Sequence, residues 1–202
     1  PADLAADPVC QPLASSFVLE GCGLENQFGD HVGPAICRTR QNGCLWQATC
    51  DDFTINGRAS GGAYSFTDPE GKKCTASLQG GKLVGSCTSG ADTCQFKQRD
   101  LQAPEGCSTV PPAFAIDGCS VSGACQALQD GCNWQATCND SVIYSGAATA
   151  NGVALLTSIS DAPFWCDLTV NSSSISGGCT PYPVVEGAEP LCAITGAPTP
   201  AN

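Results

Sequence analysis

The sequence contains no methionine, one histidine and no lysine or arginine after Arg99. It also lacks any apolar run near the roughly 18 residues that a membrane-spanning helix needs, so no membrane span is predicted. Because His31 is the only imidazole, any Ser-His-Asp or Cys-His catalytic arrangement would have to use it. The net charge of −11 argues against nucleic-acid binding, which requires a basic face. These absences leave an acidic chain with few residues suited to catalysis.

Cysteine, by contrast, is abundant in the sequence. There are 16 cysteines, and the closest are separated by five or six intervening residues rather than by a Cys-x-x-Cys spacing. Thiolate zinc sites usually combine closer cysteines with histidines, so we interpret the cysteines as a disulfide framework formed in an oxidising compartment. Because the chain begins at Pro1 with no methionine and no apolar leader, we expect a processed, secreted and extracellular protein.

An internal repeat organises the chain. The phrase Gly43–Cys50 recurs as Gly131–Cys138 with one change, Leu45 to Asn133, and alignment on it matches every cysteine of one half to one of the other. The repeat predicts two domains of eight cysteines, 1–99 and 100–202, joined by a short connector that contains Pro104. The matched cysteines are Cys10, Cys22, Cys37, Cys44, Cys50, Cys74, Cys87 and Cys94, and then Cys107, Cys119, Cys125, Cys132, Cys138, Cys166, Cys179 and Cys192.

The repeated phrase has the alternation of a half-buried strand. Cys44, Trp46, Ala48 and Cys50 fall on one face, and the second copy divides in the same way. A cofactor-binding or sugar-stacking role is the alternative for Trp46 and Trp134. Both stand between two cysteines of the same face, so we interpret them as core residues.

A hairpin follows in each copy. Gly80-Gly81 is a two-residue turn signal that places Cys74 opposite Cys87, and the second copy places Cys166 opposite Cys179. The pair would be close, near the lower limit for a direct disulfide, and bonds to neighbouring strands are an equal alternative. With further short strands and frequent glycine and proline, the sequence predicts an all-β fold of two tandem antiparallel domains, sandwich-like, with five to seven strands each.

Few residues of the chain suit catalysis or metal binding. His31 lies in residues 23–36, a stretch nine residues longer than its counterpart in the second half, and we interpret it as a solvated loop histidine. Asp51-Asp52 and Asp68-Pro69-Glu70-Gly71 have turn composition. No calcium-loop, phosphate-loop or dinucleotide motif is present, so no cofactor, no metal and no enzymatic activity is predicted.

The copies differ most in charge. All eight lysines and arginines precede residue 100, where ten acidic residues also lie, and nine acidic residues follow, so the halves carry 8 − 10 = −2 and 0 − 9 = −9. Before the hairpin cysteine, Lys72-Lys73 in the first copy is matched by Phe164-Trp165 in the second. Exposed aromatic residues concentrate at binding sites, although the aromatic pair has a core position as its alternative. Asn139 and Asn171 begin sequons that would accept glycans in a eukaryotic secretory pathway.

Together these features predict a non-catalytic, secreted structural protein. The basic and aromatic sites would let copies self-associate head to tail into a fibre or surface layer, because unlike ends make heterologous contacts. The alternative is a soluble secreted binding protein, a hydrolase inhibitor or a glycan-binding module, that uses His31 or the Phe164-Trp165 site. A secreted hydrolase is the third hypothesis.

Overall fold

The computed structural model describes residues 10–28, 31–50, 53–119, 121–139, 142–150, 153–158, 164–171, 173–181 and 189–199. These residues contain strands and turns and no helix, which confirms the predicted all-β class. Contacts divide the chain into two compact units, Pro1–Asn26 with Cys37–Asp100 and Gln27–Ile36 with Leu101–Asn202. The two sheets are described separately below, and unit 1 and unit 2 denote the first and the second sheet with their connecting turns.

Unit 1 is a nine-stranded antiparallel sheet in the order β1-β9-β8-β7-β6-β5-β4-β3-β2. Because β1 also pairs with β3, the sheet curls into a ring in which β2 is an extra strand beside β3. The strands are β1 (Ser16–Gly21), β2 (Glu25–Phe28), β3 (His31–Asn42), β4 (Leu45–Cys50), β5 (Phe53–Ser60), β6 (Ala63–Thr67), β7 (Lys73–Gln79), β8 (Lys82–Ser89) and β9 (Asp92–Arg99).

Unit 2 is a closed eight-stranded barrel in which each strand pairs with the next and β17 pairs with β10. The strands are β10 (Ala113–Gly118), β11 (Val121–Asp130), β12 (Asn133–Cys138), β13 (Val142–Ala148), β14 (Val153–Ser158), β15 (Phe164–Val170), β16 (Ile175–Pro181) and β17 (Cys192–Pro198). The sandwich-like arrangement expected from the sequence is therefore replaced by ring closure, which in unit 2 leaves no free edge among the described strands. The expected five to seven strands are too few, since the units contain nine and eight.

The repeated phrase forms β4 and β12, and the tryptophans lie in the core as predicted. Trp46 and Trp134 are 4 % and 2 % exposed, and the alternate residue Leu45 is 61 % exposed. Gln135 departs from the expected pattern, because it lies on the outward face of β12 and is nonetheless buried. Period-two alternation thus identified the inward face in both copies and failed at one outward position.

The two interiors use different side chains. In unit 1 the rings of Trp46 and Phe66 meet edge to face with their centroids 5.5 Å apart, and Phe66 meets Phe96 in the same way at 5.4 Å. In unit 2 the position of Phe96, two residues after the matched cysteine, is occupied by buried Ile194. The scaffold therefore tolerates exchange of aromatic for aliphatic residues inside the ring.

Each unit contains four disulfides with the same connectivity. The bonds are Cys10–Cys44, Cys22–Cys94, Cys37–Cys50 and Cys74–Cys87 in unit 1, and Cys107–Cys132, Cys119–Cys192, Cys125–Cys138 and Cys166–Cys179 in unit 2. The hairpin cysteines lie directly opposite each other, as the turn length predicted, with Cα atoms 4.0 Å apart. They bond to each other, so the alternative of bonds to neighbouring strands is wrong.

A glycine before Cys22 and Cys119 allows β1 and β10 to approach the last strand of their unit. A Cβ atom on Gly21 would collide with the carbonyl of Gln95, and one on Gly118 with that of Ala193. Cys22 and Cys119 have φ values of 61° and 51°, which turn the chain immediately after each strand. Glycine-cysteine at these places therefore serves the seam where each ring closes.

Candidate functional site

Lys73 and Trp165 occupy equivalent places on the outer faces of the two units. Each precedes the first cysteine of its hairpin, and each is paired with a threonine on the next strand, Thr88 or Thr180. In both units that threonine hydroxyl donates to the backbone carbonyl of the paired residue at 3.4 Å. The local frame is therefore the same in the two units, and the exchanged side chain is the difference.

Lys72 is less available than the sequence implied. Its ammonium lies 2.5 Å from the Glu70 carboxylate and 4.0 Å from Asp68, and its pKa is raised, chiefly by the hydrogen bond to Glu70. Lys73 is exposed and forms no ion pair with the residues that the structure describes. Of the two predicted interaction lysines, Lys73 is thus the one whose charge faces solvent.

The aromatic pair of unit 2 divides between the two faces of β15. Phe164 packs against the core, whereas Trp165 lies on the same outer face as exposed Asp167 and is half-buried. The core alternative therefore applies to Phe164, and an interaction role for Trp165 stays a prediction. Trp165 alone has a ring placed for contact from outside.

Leu191 adds apolar surface beside this position. It is 72 % exposed, and its backbone N–H donates to the carbonyl of Cys179 at 2.9 Å. It directly precedes Cys192, the register partner of Cys179, so it lies across β16 from Trp165. Sequence reasoning missed Leu191, although alignment of Cys94 with Cys192 places it against Thr93 and would have identified the exchange.

His31 begins β3, so its prediction as a loop residue is wrong for the backbone. Its side chain lies outside the described part of the structure, as do Asp51 and Asp52. Asp68 has a turn role, as its sequence context indicated: its carboxylate accepts from the backbone N–H of Lys72 at 2.7 Å.

The sequon asparagines are exposed and engaged in local hydrogen bonds. The Asn139 amide donates to the carbonyl of Ser122 at 2.6 Å, and Asn139 has a φ of 51°. The Asn171 side-chain oxygen accepts from the backbone N–H groups of Ser173 and Ser174 at 3.0 and 2.8 Å. Glycosylation at these positions stays a prediction.

Sulfur atoms come together in both units. Among the described residues, three groups place metal-ligand atom types within 4.8 Å of one another: Cys22, Cys87 and Cys94; Cys119, Cys179 and Cys192; and Asp68, Cys74 and Cys87. All these cysteines are disulfide-bonded, and a disulfide sulfur is not the thiolate that binds zinc. The groups are better understood as neighbouring disulfides.

The charge difference between the halves is visible at the closing strand pair. Glu20 in β1 accepts from Arg99 and lies 3.2 Å from the Lys97 ammonium, and the hydrogen bond from Arg99 is the main reason that its pKa is lowered. The same register position in unit 2 pairs exposed Asp117 with Thr195. Unit 1 thus neutralises its acidic group where unit 2 leaves one in solvent.

Comparison with family models, curated proteins and solved structures finds no match for this chain. The described residues contain no helix, hence none long and apolar enough to cross a membrane. Eight disulfides place the protein in an oxidising environment.

Proposed function

We propose that this protein is a non-catalytic, secreted structural protein whose copies associate head to tail. Unit 2 of one copy, through the outer face around Trp165, would contact unit 1 of the next copy around Lys73. The exchange of these two residues within one local frame carries the proposal, because it gives the two units unlike surfaces. Contacts between unlike surfaces repeat without limit unless they close into a ring.

The chemistry of the two faces is complementary. An ammonium placed over an indole face is attracted to the ring, and the Asp167 carboxylate on the same strand face as Trp165 would add an opposite charge. The two halves carry net charges of −2 and −9, so the halves that meet would repel each other overall. Local pairing at Lys73 must therefore fix the register of the contact.

Sedimentation velocity of the full chain at low salt tests assembly. We expect species larger than the monomer that grow with concentration and shrink when salt screens the contact. Lys73→Glu should shift the population to monomer, and so should Trp165→Ala. Lys82→Glu is the matched control: it makes the same charge change at the other end of the same hairpin, where Lys82 pairs with Asp100 at 2.7 Å. A chain that stays monomeric at high concentration and low salt overturns the proposal.

A soluble binding protein is the second candidate. Leu191, which is exposed across β16 from half-buried Trp165, favours it, since apolar surface of this kind also suits a glycan or a protein ligand. Trp165 is the accessible one of the three tryptophans. Soluble polysaccharides, or a secreted hydrolase, added to the monomer should then protect Trp165 fluorescence from acrylamide. Protection without self-association would support this candidate over assembly, and no protection by either ligand would count against it.

A further inference from the structure

Two disulfides lie side by side in unit 1. Cys87 is the register partner of Cys74 on β7 and of Cys94 on β9, so three cysteines form a row across neighbouring strands. Cys94 bonds to Cys22, and the sulfur atoms of Cys22, Cys87 and Cys94 all lie within 4.8 Å of one another. The Cys22–Cys94 bond and the Cys74–Cys87 bond are therefore adjacent.

Unit 2 repeats this row. Cys179 is the register partner of both Cys166 and Cys192, and its sulfur lies within 4.8 Å of those of Cys119 and Cys192. The two rows survive in copies that have otherwise exchanged core residues and charges. The adjacency is thus part of the repeated frame.

The two bonds of a row differ in access. Cys74 and Cys87 are 1 % and 0 % exposed, whereas Cys22 and Cys94 are both only partly buried. Reduction by a thiol requires its thiolate to contact a disulfide sulfur. An external thiol can therefore reach Cys22–Cys94, the outer bond of the row. Cys74–Cys87, the inner bond, can instead be attacked from within the unit by the sulfur of Cys94.

We propose that each row is a thiol–disulfide exchange relay. An external thiolate, from a small-molecule or protein thiol, attacks Cys22 Sγ, forms a mixed disulfide and releases Cys94 as a thiolate. Cys94 Sγ then attacks Cys87 Sγ, which forms Cys87–Cys94, breaks Cys74–Cys87 and leaves Cys74 as a thiolate that takes up a proton. A second thiol attacks the mixed disulfide, forms the oxidised dimer of the reductant and frees Cys22 as a thiol.

The balance is a two-electron reduction. Two protein disulfides become one disulfide and two thiols, while two molecules of external thiol become one disulfide. The bond lost first joins β1 to β9, the seam at which the ring of unit 1 closes. The matching bond in unit 2, Cys119–Cys192, joins β10 to β17 at the barrel closure. Reduction would therefore unlatch the ring at its seam, while the new bond keeps the last two strands joined.

Brief treatment of the native full chain with reduced glutathione tests the relay. After an acid quench, unfolding with an alkylating reagent and peptide mapping, we expect alkyl groups on Cys74 and a bond between Cys87 and Cys94. Cys22 should carry glutathione or an alkyl group. Alkylation of Cys22 and Cys94 with Cys74–Cys87 intact would overturn the proposal.

A double variant tests the inner bond. With Cys22→Ser and Cys94→Ser there is no internal thiolate, so Cys74–Cys87 should be reduced at least about tenfold more slowly than in the parent chain. The unchanged row of unit 2 is the internal control, and Cys166–Cys179 should be reduced at its parent rate. An unchanged rate for Cys74–Cys87 would contradict the relay. Faster reduction of Cys74–Cys87 together with lost hydrogen-exchange protection in β7 would show that the variant is unfolded. The peptide map of the parent chain then decides whether the relay operates.

Discussion

Units 1 and 2 keep the same covalent frame and diverge around it. Both have the same four disulfide connections, a buried tryptophan between two cysteines, and a glycine at the closing seam. They differ in the charges at that seam, in the core residue two positions after the last matched cysteine (Phe96 or Ile194) and in the exchange of Lys73 for Trp165. Because cross-links and one large core residue specify the ring, the outer face is free to change. The shared features therefore stabilise the units, and the features that differ are the candidates for specificity.

The shared tryptophans give the largest expected effect. Trp46→Ala and Trp134→Ala should each lower the free energy of unfolding of their own unit by about 3–5 kcal/mol, because each removes a large buried ring and leaves a cavity. Hydrogen exchange of the full chain, followed at the amides of β4 and β12, measures each unit separately.

Leu45→Ala is the matched control, because Leu45 precedes Trp46 on the opposite, exposed face and should cost less than about 0.5 kcal/mol. If one tryptophan substitution lowers the free energy of unfolding by several kcal/mol and the other hardly changes it, the tryptophans do not stabilise the two units equally.

The second-largest expected effect is a loss of stability of unit 2 at high pH. Burial raises the pKa of Tyr144 in unit 2 to about 12, and its hydroxyl has no partner among the described residues. The unfolded chain ionises this tyrosine near pH 10 while the folded unit keeps it neutral, so stability falls as pH rises from about 10 to about 12, by about 2–3 kcal/mol. Absorbance of tyrosinate should show a late-titrating group.

Tyr144→Phe should remove that late titration and the loss of stability above pH 10. Since the hydroxyl is buried without a described partner, this variant should be as stable as the parent at neutral pH or more stable. A late-titrating group that persists in the variant would show that Tyr144 is not its source.

Local sequence signals predicted the strands and hairpins but not how the rings close. Alternation around Trp46 and the Gly80-Gly81 turn depend on neighbours in the chain, so one sequence is enough to detect them. Pairing of β17 with β10 depends on strand number and stagger over the whole unit, for which there is no local signal. Eight cysteines allow about a hundred connectivities, so the disulfide map also required the fold.

The environment of the surface residues was harder to predict, because it too depends on the fold and has no local sequence signal. The Lys-Lys and Phe-Trp exchange was visible by alignment, yet the ion pair of Lys72 with Glu70 and the inward position of Phe164 depend on the folded turn and on the register of β15. The exposure of Leu191 depends likewise on how its loop meets β16.

Acid should weaken unit 1 at its seam. Because the hydrogen bond from Arg99 lowers the pKa of Glu20, the contribution of this carboxylate is complete above its unfolded pKa, near 4.5, and is lost as pH falls through the lower folded value. Glu20 is partly exposed, so the effect should be about 0.5–1 kcal/mol. Hydrogen exchange of β1 measures it.

The matched variants are Glu20→Gln and Asp117→Asn, which occupy the same register position in the two units. The first should abolish the acid sensitivity of β1 and the second should have no comparable effect in β10, where Asp117 pairs with Thr195. An equal effect in both units would show that the ion pairs with Lys97 and Arg99 are not the cause.

The smallest expected effect is on the rate of the proposed exchange relay, and this prediction rests on that proposal. In unit 1 the Asp68 carboxylate lies within 4.8 Å of the sulfurs of Cys74 and Cys87, and the register places Ser158 at that position in unit 2. A negative charge there opposes both the approach of a thiolate and the release of another at Cys74, and the Lys72 ammonium, 4.0 Å from Asp68, offsets part of it.

Asp68→Asn should therefore speed formation of the Cys87–Cys94 bond about threefold and bring the rate in unit 1 closer to that in unit 2. Asparagine keeps an acceptor for the Lys72 N–H, so the turn should persist. Glu70→Gln, in the same turn but exposed, is the control and should leave the rate unchanged. A parent chain in which unit 1 already exchanges faster than unit 2 would mean that access at Cys22 and Cys119, rather than charge at the buried bond, determines the rate.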